Sequence, residues 1–304
     1  MKKIILISGP TGSGKSEIAL KLARKINGEI VNADSMQVYK EIKILSARPD
    51  DYFNIPHHLY GTISVKKNFS AGLWIKKSKS ILENILKKNK QPIIVGGTGL
   101  YFKLLTEGIS KIPQIPQKIR SKSRNLNKKL GNEKFYKLLI KIDPLIKNKI
   151  KKNDTHRLIR AYEVFLFTKK SLINWQKVNQ SYFEKFKFIK IYINPNKSYL
   201  EKKIRFRLKK MFENKAIDEV KNFLKLKINP TLPANKILGI YEIKQYLTKK
   251  ISLEEAFNNT FIRTRRYIKR QKTWSRGYMK DWKRIYNSNF DILTKKIINL
   301  TSSS

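Results

Sequence analysis

Ile4-Ile5-Leu6-Ile7-Ser8-Gly9-Pro10-Thr11-Gly12-Ser13-Gly14-Lys15-Ser16 is the stretch that decides the fold. A short apolar run enters the spacing G-x-x-x-x-G-K-S/T, and Glu17-Ile18-Ala19-Leu20-Lys21-Leu22-Ala23 continues with helical patterning. The order strand, glycine-rich loop, helix makes this a phosphate-binding loop. Glycines let the backbone curl so that successive N–H groups point at phosphate oxygens, and the helix adds its positive end. Gly9, Pro10, Thr11, Gly12, Ser13, Gly14, Lys15 and Ser16 are thus the expected diphosphate cradle. Lys15 supplies a mobile cation and the Ser16 hydroxyl a ligand for Mg2+. The loop specifies a phosphate-bearing ligand, not the chemistry that follows.

Residues 29–33, 92–95 and 188–193 are further short apolar runs, the first two leading into small or polar residues, as in βαβ units. Residues 69–88 carry Leu73, Ile75, Ile81, Leu82, Ile85 and Leu86 at helical spacing. The fold expected is α/β: a P-loop NTPase-like, doubly wound parallel sheet with a helical insertion domain and a helical C-terminal region. After Lys111 the texture changes. Ile112-Pro113-Gln114-Ile115-Pro116 is a stiff linker, and Lys-rich helical sequence runs over 119–180, broken at Asp143-Pro144 and Asn153-Asp154. Residues 1–112 and 186–304 are read as the catalytic core and 113–185 as the insertion. Beyond Ser198 the chain is expected to be helical nearly to its end.

The 304 residues hold 67 Lys+Arg against 22 Asp+Glu, a formal charge of +45, which attracts polyanions. Lys, Ile, Asn, Phe and Tyr are abundant together, the mark of A/T-rich codons, so most of the Lys excess is assigned to solvated faces. The Arg clusters are not explained that way. The absence of Cys excludes disulfides, Cys-based zinc sites and thiol catalysis. No stretch approaches the length of a transmembrane helix. A soluble, cytoplasmic protein is expected, and nothing demands more than a monomer.

Asp34 follows the second strand, where ligands of open α/β sheets bind. It is either a general base or Mg2+-associated carboxylate, or the N-cap of a following helix. Gly96-Gly97-Thr98-Gly99 follows the third strand; its glycines admit close backbone approach, and the Thr98 hydroxyl suits a phosphate oxygen or a base. No acidic residue closes that strand, which argues against an ATPase motor. On 202–211, Ile204, Leu208 and Met211 face a core, and adjacent Arg207 is either a diphosphate clamp or a solvated cation. His156, Arg157 and Arg160 lie within about one helical turn and suit RNA phosphates or bases. Tyr267, Trp274 and Tyr278 fall on one helical stripe, of which Trp274 is expected to pack on the core, flanked by a basic face of Arg263, Arg265, Arg266, Lys269, Arg270 and Arg276 that suits RNA.

Taken in order, GPTGSGKS at 9–16, NADSMQVY at 32–39, GGTGLYFKLLTEGIS at 96–110, NDTHRLIRAYEV at 153–164 and TRRYIKRQKTW at 264–274 resemble the bacterial tRNA dimethylallyltransferases, the IPP transferase family. The resemblance implies transfer of a dimethylallyl group from dimethylallyl diphosphate to N6 of the adenosine 3′ of the anticodon, position 37, with Mg2+ as cofactor and the tRNA anticodon stem-loop as partner. It implies that Asp34 is the base, that Thr98 bonds at the junction of the two substrates, and that Arg207 acts on the diphosphate. It implies tRNA contacts at Asp34, Ser35, Met36, Gln37, Thr98, Arg120, His156, Arg157, Leu158, Ile159 and Arg160. Departures fall at Asp154-Thr155-His156-Arg157, where Asp-Pro-Gln-Arg is frequent, and at Gly239-Ile240-Tyr241-Glu242, where Gly-Tyr-Lys-Glu is common. Lys215 stands where a glycine is usual. Two rivals remain open at this stage: a phosphate-loop kinase of small molecules or nucleosides, and a non-catalytic RNA-binding nucleotide switch.

Overall fold

The computed structural model describes residues 2–49, 54–286 and 290–302. Its strands are β1 (Lys2–Ser8), β2 (Gly28–Asn32), β3 (His57–His58), β4 (Gln91–Gly96), β5 (Ile109–Ser110), β6 (Asn179–Gln180), β7 (Phe186–Ile193) and β8 (Lys283–Ile285). Six of these form one parallel sheet in the order β3-β2-β4-β1-β7-β8. The central strand β1 pairs Ile7 with Val95 on one side and with Ile191 on the other. Ile4, Ile5, Leu6 and Ile7 are all fully buried, so both faces of the strand are covered, which is why it reads as a continuous apolar run rather than an alternation. Helix α1 (Lys15–Lys25) sends Ile18, Ala19 and Leu22 into the cluster around Ile5, Ile7, Ile30, Ile93 and Ile191. Helix α2 (Ala71–Lys87) starts at Ser70, whose hydroxyl accepts from Leu73 N–H at 3.2 Å. Helix α3 (Gly99–Glu107) follows β4.

The chain divides into two compact units, Met1–Thr106 with Phe183–Ser304, and Glu107–Tyr182. The second unit contains α4 (Gln117–Ile142), α5 (Thr155–Thr168), α6 (Leu172–Lys177) and the antiparallel pair β5-β6. Phe135, Leu139, Ile146, Leu158, Ala161 and Val164 form its core. Gly131, at φ 72°, breaks α4 at a point that a sequence reading passes over. A Cβ there meets nothing, so the dihedral rather than space calls for glycine. Asp154 caps α5 by accepting from Arg157 N–H at 3.2 Å.

In the first unit, α7 (Lys197–Glu213), α8 (Ala216–Lys225), α9 (Ile240–Leu247), α10 (Leu253–Tyr278) and α11 (Phe290–Ser302) follow β7. A reciprocal cap starts α10: Ser252 N–H donates to Glu255 Oε2 at 2.7 Å, and Glu255 N–H to Ser252 Oγ at 3.1 Å. The expectation of helix nearly to the end is corrected by β8, which pairs in parallel with Ile191–Ile193 at the sheet edge. Three residues with one buried side chain, Ile285, leave no periodicity to read. No helix among the described residues is long and apolar enough to cross a membrane.

Lys215, between α7 and α8, sits at φ 53° in the left-handed region that disfavours a side-chain-bearing residue. Lys215→Gly is expected to raise stability by about 1 kcal/mol in urea unfolding without a change in m, since the strain is relieved only in the folded state.

Candidate active site

The loop after β1 takes its shape from two glycines, Gly12 and Gly14, both at φ 81°. Gly9 is fixed by crowding: a Cβ there would lie 2.7 Å from the Ile193 carbonyl oxygen. The Lys15 ammonium folds back and donates to the Pro10 carbonyl at 3.2 Å. Burial lowers its pKa from 10.5 to about 8; Asp34 opposes that shift and Arg207 adds to it. Lys15, Asp34 and Arg207 therefore sense one another electrostatically inside one cavity.

Asp34 is placed by Asn32, the last residue of β2. Asn32 Oδ1 accepts from Asp34 N–H at 2.7 Å, and Asn32 Nδ2 donates to the carbonyls of Asp34 and Leu59, both at 3.0 Å. The Trp74 indole N–H donates to the Asn32 carbonyl at 2.8 Å. The alternative of a helix cap does not hold, because the next helix begins at Ala71. Instead Asp34 Oδ1 accepts from Met36 N–H at 3.0 Å and closes a local turn. Oδ2 is directed at Gly97, 3.4 Å from where a Cβ would be.

Thr98 ties the β4 loop to the β2 loop. Its N–H donates to the Ala33 carbonyl at 3.1 Å, and its hydroxyl accepts from Ser35 N–H at 2.9 Å and lies 3.2 Å from Ser35 Oγ. Gln271 of α10 completes the assembly: Thr11 N–H donates to its Oε1 at 3.0 Å, and its Nε2 donates to the Gly97 carbonyl at 3.0 Å. One amide thus spans the phosphate loop and the β4 loop.

A cavity of about 830 Å³ opens over these groups, lined by Lys15, Ser16, Asp34, Met36, Gln37 and Arg207 among others. Arg207 stands on α7, whose Leu200, Ile204, Leu208 and Met211 are buried. Its Nε is buried without a hydrogen-bond partner among the described residues. Burial opposes its charge and Asp34 supports it. The Gln37 amide donates to the carbonyls of Ser46 and Ala47 at 3.1 and 2.8 Å, so it also holds the neighbouring loop. A smaller cavity of about 240 Å³ lies beside Gly97, Thr98, Tyr267, Gln271 and Trp274.

Trp274 of α10 does not enter the core as expected. Tyr267 and Trp274 line cavity walls, and Tyr278 is 44% exposed, stacked on Trp274 with ring centroids 4.7 Å apart. A Cβ on Gly99 would meet the Trp274 ring at 2.3 Å, so the ring takes the space that glycine leaves. Burial and the Asp34 charge push the Tyr267 hydroxyl pKa up. The expected basic face divides: Arg265, Arg266, Lys269 and Arg276 line a groove with Lys197, Lys272 and Arg284, whereas Arg263 and Arg270 line the 830 Å³ cavity with Tyr267.

Arg120, His156, Arg157, Leu158, Ile159 and Arg160 belong to the second unit. His156 and Arg157 are exposed, and Arg157 pairs with Asp154 at 3.4 Å. Arg160 is 3.7 Å from Glu163; burial lowers its pKa, Glu163 opposes that, and nearby Arg120 adds to it. Leu158 is corrected: it is wholly buried in that unit's core, and its side chain has no face to offer an RNA. Gln271 is a site residue that the sequence reading did not single out, and Tyr267 and Arg270, read there as stripe and basic face, join it on the cavity side; the signal available was their spacing at i, i+3 and i+4 on one face of α10.

A family model described as IPP transferase matches residues 37–278, and one described as isopentenyl transferase matches residues 2–54. A tRNA dimethylallyltransferase of Pelagibacter ubique (strain HTCC1062) is 50% identical over 97% of this chain and 95% of its own length. One of Rickettsia canadensis (strain McKiel) is 40% identical over 97% and 91%. The crystal structure of the tRNA isopentenylpyrophosphate transferase of Bacillus halodurans superposes with a TM-score of 0.71 at 28% identity, covering 100% of this chain and 96% of that one. A eukaryotic dimethylallyltransferase captured acting on tRNA gives 0.76 at 29% identity over 90% and 70%.

Two outcomes are expected in calorimetric titration with inorganic diphosphate. Gln271→Ala weakens binding about tenfold, since Thr11 N–H loses its tether. Raising the pH through 8 weakens binding as Lys15 loses its proton, and Lys15→Met removes that part of the pH dependence.

Proposed function

The chain belongs to the IPP transferase family, and on that premise we propose that it moves the dimethylallyl group of dimethylallyl diphosphate to N6 of the adenosine at position 37 of tRNA. It is a transferase, and its fold is the P-loop-like parallel sheet of the solved tRNA isopentenyltransferases. The observation that carries the reading is the shared cavity in which a phosphate loop, a carboxylate and a buried guanidinium meet.

The exocyclic amine of adenine is a weak nucleophile because its lone pair is delocalised into the ring. As N6 attacks C1 of the dimethylallyl group, Asp34 takes the proton. The N6–C1 bond forms, the C1–O bond breaks, and diphosphate leaves with the bonding electron pair. Lys15, the N–H groups of 12–16 and Arg207 stabilise the charge that grows on the leaving oxygens. Arg207 suits this task because its buried Nε lacks another partner. Thr98 positions Asp34 through Ser35, and its hydroxyl stands where the substrates meet. The adenine leaves its stack to reach Asp34.

Ser16 and Asp34 line the same cavity, so a hydroxyl and a carboxylate are available for a cation whose other ligands are water and phosphate oxygens. These donors fit Mg2+, with Ser16 as its holder. When bound, the cation neutralises diphosphate charge. Ser35, Met36 and Gln37, with Arg120, His156, Arg157, Ile159 and Arg160 of the second unit, are assigned to tRNA contact. A cytoplasmic monomer serves this reaction.

The test is transfer of labelled dimethylallyl diphosphate to unmodified bulk tRNA; label absent from the tRNA, with ATP consumed instead, would overturn the reading in favour of a kinase. In the same assay Asp34→Ala is expected to lower turnover about 10²- to 10⁴-fold, far more than it weakens tRNA binding, and Arg207→Ala about 10²-fold.

A further inference from the structure

Two large apolar side chains on the wall of the 830 Å³ cavity are turned out to solvent: Phe206 of α7 is 58% exposed and Tyr241 of α9 is 57% exposed. Isolated exposed apolar residues are ordinary on protein surfaces. These two differ in sharing the cavity of the phosphate loop and Asp34, and each ring has a cation over one of its two faces, so that a base would stack on the other. Lys210 Nζ lies 4.6 Å from the Phe206 centroid, and the Arg263 guanidinium 5.8 Å from that of Tyr241. Arg263 is itself held by the buried carboxylate of Glu242, so its position is set by α9. Tyr241 is also a position where the chain departs from its resemblance, with the aromatic ring in the place where Lys is common and Ile240 buried beside it.

Aromatic faces flanked by cations are the recurring means of holding unstacked RNA: the ring takes a base and the cation the adjoining phosphate. We propose that Phe206 and Tyr241 are base-stacking surfaces for the anticodon-loop nucleotides next to the reacting adenosine. The proposal rests on the reading of this chain as a tRNA-modifying transferase. Extruding one adenosine breaks its stacking with its neighbours, and an aromatic side chain at the mouth replaces what those neighbours lose. Stacking is indifferent to base identity, so these residues set how firmly a loop is held open rather than which base is read.

The experiment uses the full chain and an unmodified anticodon stem-loop with 2-aminopurine beside the acceptor adenosine. Stacking quenches this probe. Wild-type protein is expected to quench it on binding. Phe206→Ala and Tyr241→Ala are expected to reduce the quench and raise KM for the stem-loop about tenfold each, with KM for dimethylallyl diphosphate unchanged. Phe206→Trp restores both properties and Phe206→Leu does not, which separates stacking from apolar bulk. An unaltered quench and KM in the double Ala variant would overturn the proposal. So would a rise confined to KM for dimethylallyl diphosphate, which would assign the rings to the prenyl tail. If the wild type itself prenylates neither the stem-loop nor tRNA, the transferase reading has failed first, and the stacking role falls with it.

Discussion

The site depends on how closely backbone can approach backbone at the carboxyl ends of β1, β2 and β4. A Cβ on Gly96 would sit 2.1 Å from the carbonyl carbon and oxygen of Ala33, and one on Gly97 would collide with the Gln271 amide at 2.5 Å. With no side chain at either position, the Ala33 carbonyl accepts from Thr98 N–H, and the Gly97 carbonyl accepts from Gln271. That contact brings the residue after β2, Asp34, beside the loop after β1. A carboxylate and a lysine share one cavity across the β4 loop, whose two glycines let it close on the loop after β2 and on the Gln271 amide that also holds Thr11.

Net charge gives this arrangement a particular character. In a chain of 67 basic and 22 acidic residues, several of the acids hold the framework together. Glu219 accepts from three successive N–H groups, of Lys43, Ile44 and Leu45, at 2.6 to 2.9 Å, and so fixes the loop that Gln37 also holds. Glu41 accepts from Ser64 Oγ and Val65 N–H at 2.7 and 2.9 Å. Glu29, buried between β2 and its neighbours, pairs with His58 at 2.7 Å and Lys90 at 3.1 Å, and those partners outweigh burial in holding its pKa down. The excess of 67 cations over 22 acids leaves an anion-attracting surface.

The legible and illegible parts of the sequence separate by range. The strand-loop-helix of residues 4–23 is a local pattern, and the structure has β1, the loop and α1 there. The stripe of Ile204, Leu208 and Met211 likewise orients α7, which places Arg207 at the cavity. Long-range features left no local trace. The hydrogen bond from Thr11 to Gln271 joins residues 260 positions apart, and no periodicity announces it. Strand β8 is too short to show alternation. Leu158 is implied as a tRNA contact by the resemblance of its segment alone, yet helical geometry sends that one position inward.

The order of the strands has a consequence for how the molecule comes into being. β1 is made before both of its neighbours and lies between them, β4 on one side and β7 on the other. One of its partners therefore appears only after the whole of Glu107–Tyr182 has been synthesised, and the amide that tethers its loop, Gln271, appears later still. Once residues 9–16 are made, a growing chain carries the complete phosphate-binding sequence, but not the enclosure that makes it a site.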